Sequence, residues 1–189
     1  MIHAKWLLAG LWLVGAAGVQ AATQPVAGPC NDKGGMCIWR EPLVSAPKGW
    51  ERKQNASDRY RAVVFAPAGS NFGNAGAVIY AKAIPRQGNA PTLAAFMTQD
   101  LATFRAQYSK LGVQTGLALT DGDGQRLSAV RLSPMAASKA QWETTAYAQE
   151  GEYYLVFVLS ARTKAAHDAA APAFQQMLAG YHAKANARS

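Results

Sequence analysis

A change of period near the middle of the chain limits the folds open to it. Leu93, Phe96, Met97, Leu101, Phe104, Tyr108 and Leu111 recur at steps of three and four, the spacing of one buried helical face. Pro91 and Thr92 are start signals and Gly112 is a stop signal, so a helix is expected over Leu93–Leu111. Its Met and aromatic residues are read as core. On either side the apolar residues form short runs of strand type. Tyr60–Phe65 and Ala77–Ile84 come before the helix, the second closed by Pro85. After it come Val113–Leu119, Arg126–Leu132, and an alternation of Trp142, Thr144 and Ala146 with Glu143, Thr145 and Tyr147. Tyr153–Leu159 is apolar on both faces, as a central strand covered twice should be. Pro172, Phe174, Met177, Leu178 and Tyr181 pattern a closing helix with Pro172 in its first turn. The order β-β-α-β-β-β-β-α predicts an α+β fold: a largely antiparallel sheet flanked by helices, an α-β-α sandwich.

The amino terminus bears on compartment. Lys5 precedes an apolar run from Trp6 to Val19, and Val19-Gln20-Ala21 offers small residues where a signal peptidase reads. A retained anchor is the alternative, but spanning a bilayer takes roughly 20 apolar residues. The expected organisation is a signal peptide over 1–21, a leader with a small disulfide loop over 22–47, one α+β domain over 48–183 and a tail over 184–189. Thr23–Pro29, with small residues and two prolines, reads as flexible. The chain of 189 residues shortens to 168 once 21 leave, enough for one domain with its own core. The expected location is the periplasm, or the exterior, with no spanning segment after cleavage.

That compartment governs the two cysteines. Cys30 and Cys37 enclose a Gly-Gly turn, and in an oxidising setting a structural disulfide is expected. A redox motif would hold two residues between its cysteines, and a metal site would need further Cys or His nearby. The net charge of +8 falls to +7 when Lys5 leaves. Its basic residues are scattered, so nucleic acid is not expected as a partner; anionic envelope surfaces suit the charge better, and simple solubility is the plainer reading. The densest basic stretch is Lys48, Arg52, Lys53, Arg59 and Arg61, interrupted by Glu51 and Asp58.

Motifs for catalysis are sparse. Asp121-Gly-Asp123-Gly-Gln125 opens like a calcium loop, but Arg126 stands where Gly is required and Leu132 where Glu is required, so a polar turn is expected. His167 and His182 lie in no ligand spacing, and neither a metal nor a cofactor is expected. Glu143, Glu150 and Glu152 share one hairpin and are read as its solvated face, although a carboxylate pair assembled in space is a recognised hydrolytic device. Trp39, Trp50 and Trp142 are not all needed for a core of this size; an exposed aromatic near basic residues suits a glycan, lipid or protein partner, and core packing is the plainer reading for any one of them. The candidate binding surface is Trp50, Arg52, Lys53, Arg59 and Trp142.

Ala146-Tyr147, Glu150-Gly151, Tyr153-Tyr154-Leu155-Val156-Phe157 and Ser160-Ala161 form a hairpin strand running into a small-residue turn. Ala171-Pro172-Ala173-Phe174 and Leu178-Ala179-Gly180-Tyr181 follow as a last helix ending near an aromatic. This pattern, with the Leu93–Leu111 helix between strand pairs, resembles the PsbP/Mog1/DcrB-like superfamily over roughly Trp50 to Tyr181. The resemblance implies an α-β-α sandwich and mostly non-enzymatic roles, with no catalytic residues to carry over. The functional expectation is an exported, non-catalytic envelope protein with an accessory or protein-binding role, its partner another envelope or secreted protein. The alternative is a small envelope hydrolase with a carboxylate site.

Overall fold

A computed structural model of the chain describes residues 23–30, 35–108, 110–135 and 140–183. The expected signal peptide and tail lie outside the described residues. The elements run β1 (Thr23–Pro29), β2 (Met36–Pro42), β3 (Trp50–Arg52), α1 (Gln54–Tyr60), β4 (Val63–Pro67), β5 (Ala77–Pro85), α2 (Leu93–Gln107), β6 (Leu111–Thr115), β7 (Ser128–Pro134), β8 (Trp142–Glu150), β9 (Tyr153–Ala161) and α3 (Lys164–Ala179). From β4 onward this is the order expected from the sequence. Strands β3 to β9 make one seven-stranded antiparallel sheet in the order β3-β4-β5-β9-β8-β7-β6, and β1 with β2 makes a separate hairpin.

Strand β9 divides the core. Leu155, Phe157 and Leu159 point to one face, where they meet Phe174, Met177 and Leu178 of α3. Tyr154, Val156 and Val158 point to the other, beneath Phe96, Leu93, Met97 and Leu101 of α2. Both sets are buried because β9 lies between β5 and β8, with a helix over each face. Thr92 caps α2, its hydroxyl accepting from the Ala95 amide at 3.2 Å, and Thr163 caps α3 through the Ala166 amide at 3.1 Å.

Several elements depart from the sequence expectation. Thr23–Pro29 is a strand, paired residue for residue with Met36–Pro42, because the disulfide loop closes the hairpin and β2 lies against β5. The expected Tyr60–Phe65 strand begins only at Val63, because Tyr60 is the last residue of helix α1; Arg61 ends that helix in the left-handed conformation at φ 50°, its amide donating to the Ser57 carbonyl. Helix α2 stops at Gln107, since Leu111 pairs with Pro134 in the β6–β7 ladder. Helix α3 starts eight residues before Pro172, carried by an alanine-rich stretch of high helix propensity. Pro172 therefore lies inside the helix, where it forgoes one bond to the Asp168 carbonyl.

The Asp121–Gln125 segment is the polar turn expected. Asp121 Oδ1 accepts from the amides of Asp123 and Gln125 at 3.0 and 2.8 Å, which occupies that carboxylate oxygen. Gly122 donates to the Tyr181 carbonyl at 2.7 Å, and a Cβ there would collide with the Ala179 carbonyl. The turn is thus docked on the end of α3, and only glycine allows the approach.

Two outcomes follow. Phe157→Ala, at the centre of the α3-side core, should lower unfolding free energy by about 3–5 kcal/mol, read by denaturant titration. A loss no greater than that of exposed Gln175→Ala would contradict the assignment. Reduction of Cys30–Cys37 should cost about 2–3 kcal/mol in the loop-entropy account while leaving far-ultraviolet dichroism near native, because the seven-stranded sheet does not include the hairpin.

Candidate functional site

Positions of even number on β5 and of odd number on β8 face α2, so Val78, Tyr80 and Lys82 share that face with Glu143, Thr145 and Tyr147. Near the sheet centre the face is filled by Tyr80, Tyr147 and Tyr154 under Phe96. Toward the start of β8 the floor becomes Val78, Ser160, Glu143 and Leu132, one from each of four neighbouring strands. A cavity of about 420 Å³ opens there. Phe104 and Gln107 from the last turn of α2, with Tyr108 just beyond it, form one wall; Tyr60 from α1 and Phe72 from the β4–β5 loop form another. With Tyr80, five aromatic rings line it.

Glu143 is the only carboxylate among the described residues of that lining, and it is 8% exposed. No hydrogen bond reaches its Oε1. Burial first, then the charge of Asp100, pushes Glu143 up to about 7; the hydroxyls of Ser160 and Thr145 pull the other way. Ser160 Oγ itself bonds to Gln141 Oε1 at 2.6 Å. Asp100, on α2, is also raised by burial, but Tyr147 donates to its Oδ2 at 2.6 Å. Burial, with the negative charges of Glu143 and Asp100, raises Tyr80 and keeps it a neutral phenol.

A second hollow of about 460 Å³ adjoins the first and shares Tyr60 and Phe72 with it. Those two rings lie 5.1 Å apart and form the partition. Lys53, Arg59, Gln54 and Asn71 line the far side.

The candidate binding residues are divided by the fold. Lys53 and Arg59 come together at this second hollow, with Lys53 bonded to Glu51 and to the Ser70 carbonyl. Arg52 instead pairs with Glu41 at 3.0 Å, a residue of zero exposure, and so ties the hairpin to β3. Trp50 packs on the α3-side core. Trp142 lies four strands away from β3 in sheet order, beside the His167 ring at 6.5 Å and under the Lys164 ammonium at 5.9 Å. Trp39 donates to Glu41 Oε1 at 3.1 Å. Cys30 and Cys37 are joined, with Cα atoms 4.9 Å apart.

Of the hairpin carboxylates, Glu152 is exposed and Glu150 half-buried, but Glu143 is not on a solvated face. Its strand is covered by α2 on that side. Only the pairing of β8 with β9, which sets Glu143 opposite Ser160, reveals this. Asp100 and Phe72 also escaped the sequence; Asp100 follows an apolar helical face by position, but nothing local marks it as facing Tyr147. His167 is 1% exposed, lowered by burial first, with Nε2 2.9 Å from Thr144 Oγ1. His182 Nδ1 lies 3.1 Å from Asp123 Oδ1 at the docked turn. Among the described residues, no three of His, Cys, Asp and Glu gather in a way that could hold a metal ion, and no helix is long and apolar enough to cross a membrane. The chain matches no protein-family model and no curated protein.

The Glu143 environment has a measurable signature. The folded protein holds the Glu143 proton up to about pH 7, whereas the ordinary value is 4.5. Its contribution is therefore undiminished below pH 4.5, falls as pH rises toward 7, and is constant above. The loss is about 3 kcal/mol by linkage. Glu143→Gln removes the titration. Measured by urea unfolding, its stability relative to the natural protein should rise by about 2–3 kcal/mol between pH 4.5 and pH 8; a difference independent of pH would show Glu143 to be solvated.

Proposed function

We propose that this chain is an exported, non-catalytic binding protein of the cell envelope, and that the cavity beneath Phe104 and Tyr108 is its binding site. The single observation carrying this is a concave, aromatic-lined space with one buried carboxylate oxygen left without a donor. Specific ligand sites pair apolar walls with a few polar groups in this way. Concavity favours a small molecule, or one side chain of a partner protein, over a flat protein–protein contact. Export is supported by the apolar leader of the sequence and by the Cys30–Cys37 disulfide, which persists in oxidising compartments. The layering of α2 and α3 on opposite faces of an antiparallel sheet supports the PsbP/Mog1/DcrB-like resemblance, and with it an accessory role.

The hydrolase reading has one observation in its favour. A buried carboxyl titrating near 7 suits general acid work. A two-carboxylate mechanism needs a second free group, and Asp100 is already engaged by Tyr147. Binding therefore accounts for more of the site.

The exported protein should begin at Ala22 and carry no alkylatable thiol by mass spectrometry. N-phenyl-1-naphthylamine, a neutral apolar probe, should brighten on mixing with it. Val78→Trp, which fills the cavity floor, should abolish that signal, and Trp142→Ala should leave it intact. Retention of signal in Val78→Trp would place binding elsewhere. Turnover of a glycan, ester or peptide that Glu143→Gln abolishes would replace the binding role with the hydrolase.

A further inference from the structure

The geometry points to an organic ammonium as the ligand of this cavity: the protonated nitrogen on Glu143 Oε1, the apolar body against the rings of Tyr60, Phe72, Phe104 and Tyr108. This rests on the binding role above and names the chemical class it serves.

Oε1 is an acceptor with no donor, in a residue more than nine-tenths buried. An anion would be repelled there. A neutral hydroxyl would satisfy the oxygen, but a charge-assisted bond is roughly twice as strong as a neutral one. The walls agree with the floor, since aromatic faces attract cations through their quadrupole.

The charged and titratable groups facing Glu143 leave room for this. Asp100 comes from α2, Tyr80 and Lys82 from β5, Thr145 and Tyr147 from β8 itself, and the Ser160 hydroxyl from β9. Among the described residues, Lys82 is the one cation in the lining. Glu143 shares its cross-strand row with Ser160 and Val78, whereas Lys82 shares the row of Val156 and Tyr147. Four residues of strand separate those rows, about 13 Å at 3.3 Å per residue. Lys82 therefore stands in the row of Tyr147, whose hydroxyl holds Asp100, and leaves Glu143 to a ligand.

Because the empty cavity holds the Glu143 proton up to about pH 7, an incoming cation must displace it. Ammonium affinity should therefore climb with pH through that range and level off above it.

The test is calorimetric titration of the disulfide-bonded protein with 4-phenylbutylamine, 4-phenylbutanol and 4-phenylbutyrate, one apolar body with a cationic, neutral or anionic end. At pH 8 the amine should bind about tenfold tighter than the alcohol, the gain expected of a charge-assisted bond. That preference should shrink at pH 6. Glu143→Gln, checked as folded by circular dichroism, should bring amine and alcohol together, and Phe104→Ala should weaken both. Tightest binding by the acid, or an amine preference that survives Glu143→Gln, would overturn the ammonium assignment and leave the cavity as a binding site. Failure of all three ligands to bind, together with no probe signal from N-phenyl-1-naphthylamine, would remove both.

Discussion

The nine-residue ladder between β5 and β9 is the contact on which the rest of the structure depends. Strands β3, β4 and β5 form one meander, and β6, β7, β8 and β9 another, each held by neighbours in sequence. Only the pairing of Ala77–Pro85 with Tyr153–Ala161 joins them. It spans about seventy residues of chain, so its loop-closure cost must be met by burial rather than local propensity. Both strands supply that burial: Ile79, Ala81, Leu155, Phe157 and Leu159 are all essentially inaccessible. The cavity floor exists only because of this join, since Val78 comes from one meander and Ser160, Glu143 and Leu132 from the other.

The basic residues near the amino terminus illustrate how structure diverts candidate binding groups. Arg52 lies two residues along β3 from Trp50, on the same face, and meets Glu41, a carboxylate with zero exposure. Leaving such a carboxylate without its cation would be costly, so the pair fixes where the β1–β2 hairpin sits. Arg40 binds the Thr23 hydroxyl and carbonyl, and Arg61 reaches the Cys30 carbonyl. Much of the positive charge that suggested an anionic partner thus serves the hairpin. Arg59, exposed in the last turn of α1, and Lys53 remain beside the second hollow.

The strongly periodic elements were legible and the pairing-dependent features were not. Ala77–Ile84, Tyr153–Leu159 and the Leu93 helix announced themselves because their apolar residues follow one period over many positions. Hairpin β1–β2 did not: its strands carry prolines and exposed Met36 and Ile38, and are held by the disulfide, the Arg40–Thr23 bonds and the face of β5. Helix α1, with seven polar-rich residues, is stabilised by Ser57, whose buried hydroxyl accepts from the Val64 amide at 3.1 Å, a contact no local pattern encodes. Glu143 was misread for the same reason. In sequence it alternates with Trp142 and Thr144 like a solvated strand position, and the face it occupies depends on where a helix fifty residues earlier comes to lie.

The cavity itself follows from unequal side-chain sizes on the two faces of the sheet. Toward α3 the strands present Ala77, Ala81, Ala83, Ala129, Ala146 and Ala161. Small residues let that helix approach closely enough to sink Phe174, Met177 and Leu178 completely. Toward α2 the sheet presents Tyr80, Tyr147 and Tyr154. These rings hold α2 away, and only Phe96 of that helix is buried. Where the tall side chains give way to Val78, Ser160 and Glu143, nothing fills the height they set, and the space beneath Phe104 and Tyr108 remains. A helix packed directly on short residues would close it and bury Glu143 beyond reach of any ligand. The tyrosines that prop α2 are therefore as necessary to this space as the residues that line it, and the unpartnered carboxylate oxygen lies at its floor.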